Sequence, residues 1–168
     1  MKPYLKRAWA EISLSALEAN IRAISASLQG NTQIMAVVKA DAYGHGEAEI
    51  LQKLTQIGVR YFAVSNLDEA LHVRQYCPDS DVLILGYTPP EYADTLAQNN
   101  IIQGIVSAEY ACTLNARTRT PIRCHVKLDT GMGRIGITGD TPGDCADSIQ
   151  DMSFLRNLKI EGIYTHFA

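Results

Sequence analysis

The sequence has no apolar run near the ~20 residues that a membrane-crossing helix needs, so no such helix is expected. It has no cationic excess. Fifteen Lys and Arg against 18 Asp and Glu leave a formal charge of −3, which offers no electrostatic footprint for nucleic acid. It has no CxxC pair: Cys77, Cys112, Cys124 and Cys145 lie far apart. Free thiols in a reducing cytoplasm are the simpler expectation, although an even count alone leaves a bridge open. His45, His72 and the cysteines also lack ligand spacing, so no metal site is expected. The opening Met1-Lys-Pro reads as neither a transit peptide nor a tag, and no signal peptide is recognised.

What remains is an ordinary globular composition, 46% hydrophobic and 20% charged over 168 residues, enough for one sizeable core. The chain is organised around Met35-Ala-Val-Val-Lys-Ala-Asp-Ala-Tyr-Gly-His-Gly46. Ile34 to Val38 is a short apolar run bounded by turn residues, which predicts a strand buried on both faces. Lys39 then stands where that strand emerges at its C-terminal end, the end at which α/β folds place chemistry. Partial desolvation lowers the pKa of such an amine and suits it to Schiff-base formation. Gly44 and Gly46 open a helix whose first N–H groups could face a phosphate, with Tyr43 adding a hydroxyl. Lysine, tyrosine and phosphate cradle together describe a pyridoxal phosphate site. A solvated lysine followed by a glycine-rich turn fits the same spacing, and spacing alone leaves both open.

The rest of the chain alternates. A first helix carries Leu14, Leu17, Ile21, Ile24 and Leu28 on one stripe, with Ser15 and Glu18 as a capping box and Gly30 as its stop. Strands are expected at 34–38, 61–64, 82–85, 101–106, 122–128 and 160–167. Helices are expected between them, including 46–57, one capped by Asn66 and Glu69, and one starting with Thr88 as N-cap and proline at its first position. Ser107 and Thr141 begin two more. Most strands lie about 20 residues apart, the spacing of βαβ units and a parallel sheet. The first four strands read as apolar throughout. The fifth differs: His125, Lys127 and Asp129 share one face, Val126 and Leu128 the other. Charges pointing into a barrel need partners or a ligand, which places chemistry at its mouth.

Four segments carry a resemblance. Val38-Lys-Ala-Asp-Ala-Tyr-Gly-His-Gly46 resembles, without a gap, the cofactor-lysine motif of the alanine racemases. His125-Val-Lys-Leu-Asp-Thr-Gly-Met-Gly-Arg134 resembles that family's fifth-strand motif and Gly162-Ile-Tyr-Thr-His-Phe-Ala168 its sixth. Arg7-Ala-Trp-Ala-Glu-Ile12 resembles its entry segment. The resemblance implies a (β/α)8 TIM-type barrel, of which these 168 residues supply about the first six strands, with an extended arm at 1–12 and an incomplete barrel at 13–168. A C-terminal β-domain of the family is absent. A chain stopping in its sixth strand would leave an unpaired edge, so a piece of a larger protein is expected.

By the same resemblance the cofactor is pyridoxal phosphate and the reaction is L-/D-alanine racemisation, which provides D-alanine for peptidoglycan in the cytoplasm. Lys39 is implied as the Schiff-base lysine and acid/base on one face of the substrate. Tyr43 bonds the cofactor phosphate, Leu85 packs on the ring, and His166 lies beside it. Arg134 is placed near the phenolic oxygen and the substrate carboxylate. Lys127 is carbamylated in many members and then holds Arg134. The second base, a tyrosine, comes from the partner subunit of a homodimer, so a companion polypeptide or a continuation of the chain is expected to complete the enzyme. Serine racemases of the family, non-catalytic pyridoxal phosphate-binding barrels and an inactive fragment remain the alternatives.

Overall fold

The computed structural model describes residues 9–168. The first part of the expected arm, including Arg7 and Ala8, lies outside the described residues, and residues 9–12 carry no regular structure. Helix α1 (Leu14–Ser27) leads to β1 (Met35–Val37), a helical turn at Lys39–Gly44, and α2 (Glu47–Gln56). Then follow β2 (Tyr61–Val64), α3 (Leu67–Tyr76), β3 (Asp81–Ile84), a 3₁₀ turn (Pro90–Tyr92) and α4 (Ala93–Gln98). The chain continues through β4 (Ile102–Ile105), α5 (Ala108–Arg117), β5 (Ile122–Leu128), α6 (Pro142–Ser153) and β6 (Leu158–Thr165).

The six strands form one parallel sheet in sequential order, β1 to β6. At the C-terminal ends Val37 pairs with Ala63, Val64 with Ile84, Ile84 with Gln103, Ile105 with Val126, and Leu128 with Thr165, the β5–β6 register shifting once, between Cys124 and His125. Each parallel pair needs a crossover, and helices supply it. The helices cover one face of the sheet. Between them lies the main core, in which Leu51, Phe62, Ile84, Ile105, Leu114 and Ile122 are fully buried. Each such side chain stabilises by roughly 1.5–3 kcal/mol. A smaller cluster of Ala63, Leu83 and Ile102, with Met35, Leu85 and Tyr164 against it, fills the concave face. Two-sided burial is why β2 and β3 read as nearly continuous apolar runs.

Several details differ from expectation. Ser13, not Ser15, caps α1, accepting from the Ala16 N–H at 3.2 Å, while Glu18 turns to Arg22 and Lys53. No α1 residue is fully buried; Leu17 and Ile21 pack on the core, whereas Ile24 is 49% exposed. Thr88 does not cap a helix. It is buried, and its backbone bonds both ways to the Tyr110 hydroxyl. β1 is not buried on both faces, since Val37 is 42% exposed at the open edge of the sheet. β4 is not purely apolar either. Gln103 is buried on the helix side, and its Nε2 donates 2.8 Å bonds to the Gly86 and Gly104 carbonyls, fixing the loop after β3.

The polar face of β5 extends further down than expected. Arg123 joins Asp81 of β3 and Glu161 of β6 in ion pairs at the N-terminal end of the sheet. Above it, the His125 ring packs against Gly162, where a Cβ would come within 2.9 Å of its ring atoms. In the same row, β4 carries Gly104 beside His125 because Tyr164 Oη and the Ile84 carbonyl already occupy the place of a side chain, 2.6 and 2.7 Å from an ideal Cβ. Gly104→Ala is therefore expected to destabilise by about 1–3 kcal/mol through overpacking against backbone, read as a lowered urea midpoint at unchanged slope.

Candidate active site

The site begins with a reversal of handedness. Val38 still pairs with β2 through its N–H to the Ala63 carbonyl, but Ala40, Asp41, Ala42 and Tyr43 all adopt φ of 51 to 58°. These four L-residues make one turn of left-handed helix, where a Cβ crowds the following carbonyl at roughly 1–2 kcal/mol per residue. Such strain persists only where its surroundings hold it. Here the Ala42 N–H bonds the Val38 carbonyl and the Gly46 N–H the Asp41 carbonyl. Asp41 Oδ1 accepts from the Glu47 N–H at 2.7 Å. Gly44 and Gly46, at φ of 77 and 88°, take the exit conformations that favour glycine. The turn sets Lys39 and Tyr43 on one side, with Nζ 5.8 Å from the ring centroid.

The expected phosphate cradle at the start of α2 is thus corrected. The Asp41 carboxylate occupies that helix N-terminus, as an anion favours.

The mouth of the sheet collects the other candidates. Leu85 follows β3, its N–H bonded to the Val64 carbonyl, and Gly86 passes so close to Ser65 that a Cβ would lie 2.5 Å from its carbonyl oxygen. Lys127 points to the same space from β5, only 3% exposed, and Nζ donates a 2.6 Å bond to the Ile135 carbonyl. The loop after β5 is built on Asp129, whose carboxylate accepts 3.0 Å bonds from the N–H groups of Gly131, Gly133 and Arg134. Those bonds hold the Asp129 carboxyl below its usual range, the Gly133 N–H contributing most. The loop returns through Ile137, which bonds Lys127 and Asp129.

Lys39, Tyr43, Leu85, Lys127, Arg134 and His166 all line one cavity of about 370 Å³. Its wall also includes Ser65, Tyr164 and Thr165, which the sequence did not single out. The Tyr164 hydroxyl bonds the Leu85 carbonyl at 3.2 Å, and burial pushes its pKa up. Lys127 and Arg134 share the cavity, and the bond Lys127 makes is to the residue next to Arg134, neither to Asp129 nor to His125. The lining contains two lysines, one arginine and no carboxylate. An anionic small molecule fits that field. Aliphatic Val37, Leu85 and Ile135 offer faces for a planar ring, and the Lys39 amine, the Tyr43 hydroxyl and the Arg134 fork offer partners for an aldehyde, a phosphate and a phenolate or carboxylate.

A family model described as alanine racemase, N-terminal domain, matches residues 12–168. The chain belongs to the alanine racemase family. It is similar to an amino-acid racemase of Enterococcus faecalis, 45% identical over 161 residues covering 96% of this chain and 22% of that protein. It is likewise similar to the alanine racemase of Desulfovibrio desulfuricans, 40% identical over 95% of this chain and 43% of that one. Among solved structures, alanine racemase of Clostridium difficile superposes with a TM-score of 0.88 at 34% identity, covering 99% of this chain and 44% of that structure. The chain therefore spans less than half the length of the racemases it matches.

Four cysteines, Cys77, Cys112, Cys124 and Cys145, are unpaired; burial pushes the Cys124 thiol up to about 12. No helix among the described residues is long and apolar enough to cross a membrane. The Asp129 loop generates a pH signature. Because its carboxyl is depressed in the folded state, the anchoring is complete above the ordinary aspartate value near ~3.9 and is lost as pH falls through the lower folded value. In a ¹⁵N titration the Gly131 and Gly133 amides are expected to move with a midpoint below ~3.9, and not to titrate there in Asp129→Asn.

Proposed function

We propose that this chain is the cofactor-holding barrel segment of a pyridoxal phosphate-dependent alanine racemase, interconverting L- and D-alanine. The observation that carries the proposal is the cavity in which Lys39, Tyr43, Lys127, Arg134 and His166 meet with no carboxylate facing them. Pyridoxal phosphate, when bound, supplies an electron sink that acidifies the substrate α-proton. The residues of this chain do the remaining work on one side. Lys39 Nζ is the attachment point for the cofactor aldehyde and the base that moves the α-proton on its own face. The Tyr43 hydroxyl would hold the phosphate. Arg134 would offer its fork to the phenolic oxygen and the substrate carboxylate, while Leu85 would give the ring an apolar face and His166 a ring nitrogen as a hydrogen-bond partner.

Inversion needs a second acid/base on the opposite face. We assign that group to the further length that the racemases have beyond the span matched here, in a homodimer or a companion chain, with the assembled enzyme in the cytoplasm making D-alanine as a peptidoglycan precursor. The alanine racemases among the relatives favour alanine over serine.

Borohydride treatment in the presence of pyridoxal phosphate is expected to label Lys39, and Lys39→Ala to lose the label together with the visible absorbance of the bound cofactor. Peptide mapping that finds the label on Lys53 or Lys127 instead would sink the assignment.

Lys127 is the second group to act on. A buried ammonium with a single carbonyl partner, sharing a cavity with Arg134, is an unfavourable charge. Its neutral amine is proposed to add to carbon dioxide, forming an N–C bond and releasing a proton, so that the resulting carbamate anion pairs with Arg134. Intact mass in bicarbonate should show one adduct that Lys127→Ala abolishes; an adduct that persists in that variant refutes the site.

A further inference from the structure

The second strand's end and the Lys39 turn are joined by one side chain that the chemistry above does not use. Glu69 lies in the first turn of α3, three residues after its N-cap Asn66. A glutamate at that position commonly returns to the N–H of the N-cap residue. Glu69 does not. Its Oε2 accepts from both the N–H and the Oγ of Ser65, each at 2.7 Å, and its Oε1 reaches 29 residues back to accept from the Ala40 N–H at 2.8 Å. Burial of this carboxyl opposes ionisation. The bonds from Ser65, Ala40 and Asn66 outweigh that cost and hold its pKa below the usual carboxylate range.

Ala40 is the first residue of the left-handed turn and the immediate neighbour of Lys39, and Ser65 is itself part of the cavity wall. Both oxygens of one carboxylate therefore fasten the two segments that flank Lys39. The Ala40 N–H is the first backbone group to turn away from the sheet, and no carbonyl receives it. Without an acceptor there, the turn loses the bond that holds Ala40 in positive φ beside Lys39, and the backbone on the C-terminal side of Lys39 is no longer fixed at the mouth.

We propose that Glu69 is a positioning residue for the Lys39 amine, acting through the left-handed turn that it pins at Ala40. The proposal rests on the assignment of Lys39 as the cofactor lysine. It makes the turn and the cofactor lysine one unit, controlled from a helix that contributes no group of its own to the reacting atoms.

Glu69→Gln tests it, since glutamine keeps the shape but turns one of the two acceptors into a donor. In the chain without cofactor, hydrogen exchange of the Ala40 and Ser65 amides is expected to accelerate at least tenfold. With pyridoxal phosphate and borohydride, labelling of Lys39 is expected to slow about tenfold, while the urea midpoint, measured on the same samples, reports folding separately. The deciding arm adds Ala40→Gly, because glycine enters φ near 53° without the Cβ penalty. The double variant should recover most of the lost labelling rate, which a merely structural loss of stability would not do. Wild-type labelling in Glu69→Gln, or no recovery in the double variant, overturns the positioning role. A wild-type chain that takes no label at Lys39 overturns the cofactor assignment, and the role of Glu69 with it.

Discussion

Parallel pairing is the constraint on which everything else depends. A parallel neighbour can be reached only by crossing back over the sheet, so every strand must run the same way and end on the same side. With the strands in sequential order, the residues just past each C-terminal end are delivered to one rim. Lys39 arrives two residues after Val37, Leu85 one after Ile84, and His166 one after Thr165. Lys127 comes from within β5, whose seven residues carry it to the same height. Residues more than a hundred positions apart thus share a cavity without any long-range pairing designed for that purpose.

The rim is positive because its carboxylates are used elsewhere. Asp41, Glu69 and Asp129 all lie within a few residues of a cavity-lining group or bond to one, yet each turns its oxygens to backbone N–H groups. Asp41 closes the start of α2, Glu69 joins the ends of β1 and β2, and Asp129 gathers the loop that carries Arg134. The arrangement orders the backbone and at the same time leaves Lys39, Lys127 and Arg134 without a competing anion in the wall. A ligand phosphate or carboxylate then meets cations that no internal ion pair has neutralised.

Periodicity made most of the architecture legible. β5 was bounded at Ile122 and Leu128 as observed, α5 and α6 began at the Ser107 and Thr141 caps, and the inward polar face of β5 was visible as alternation. The six residues assigned to the site came from motif likeness, and the structure brings them to one cavity. What could not be read depends on backbone conformation or on contacts distant in sequence. Nothing in Lys-Ala-Asp-Ala-Tyr signals a left-handed turn, since alanine favours the opposite hand. One of the bonds that hold it runs from the Ala40 N–H to Glu69, 29 residues away. Gln103 escaped notice because one polar residue in an apolar run looks like an interruption, whereas it is the clamp on Gly86. Asp129 had a local signal, an aspartate followed by glycines that suits side-chain-to-backbone turns.

The sequential strand order also has a kinetic side. Each strand from β2 to β5 finds its partner in the segment made immediately before it, about 20 residues earlier. At synthesis rates of about 5–20 residues per second, a new strand becomes available every ~1–4 s. The sheet can therefore grow outward from its first pairs while the later motif residues are still unmade, and the Lys39 turn, the Ser65 bend and Glu69 all belong to the earliest portion to emerge. The half of the site that carries Lys39 and Tyr43 is assembled before the ribosome has translated Arg134.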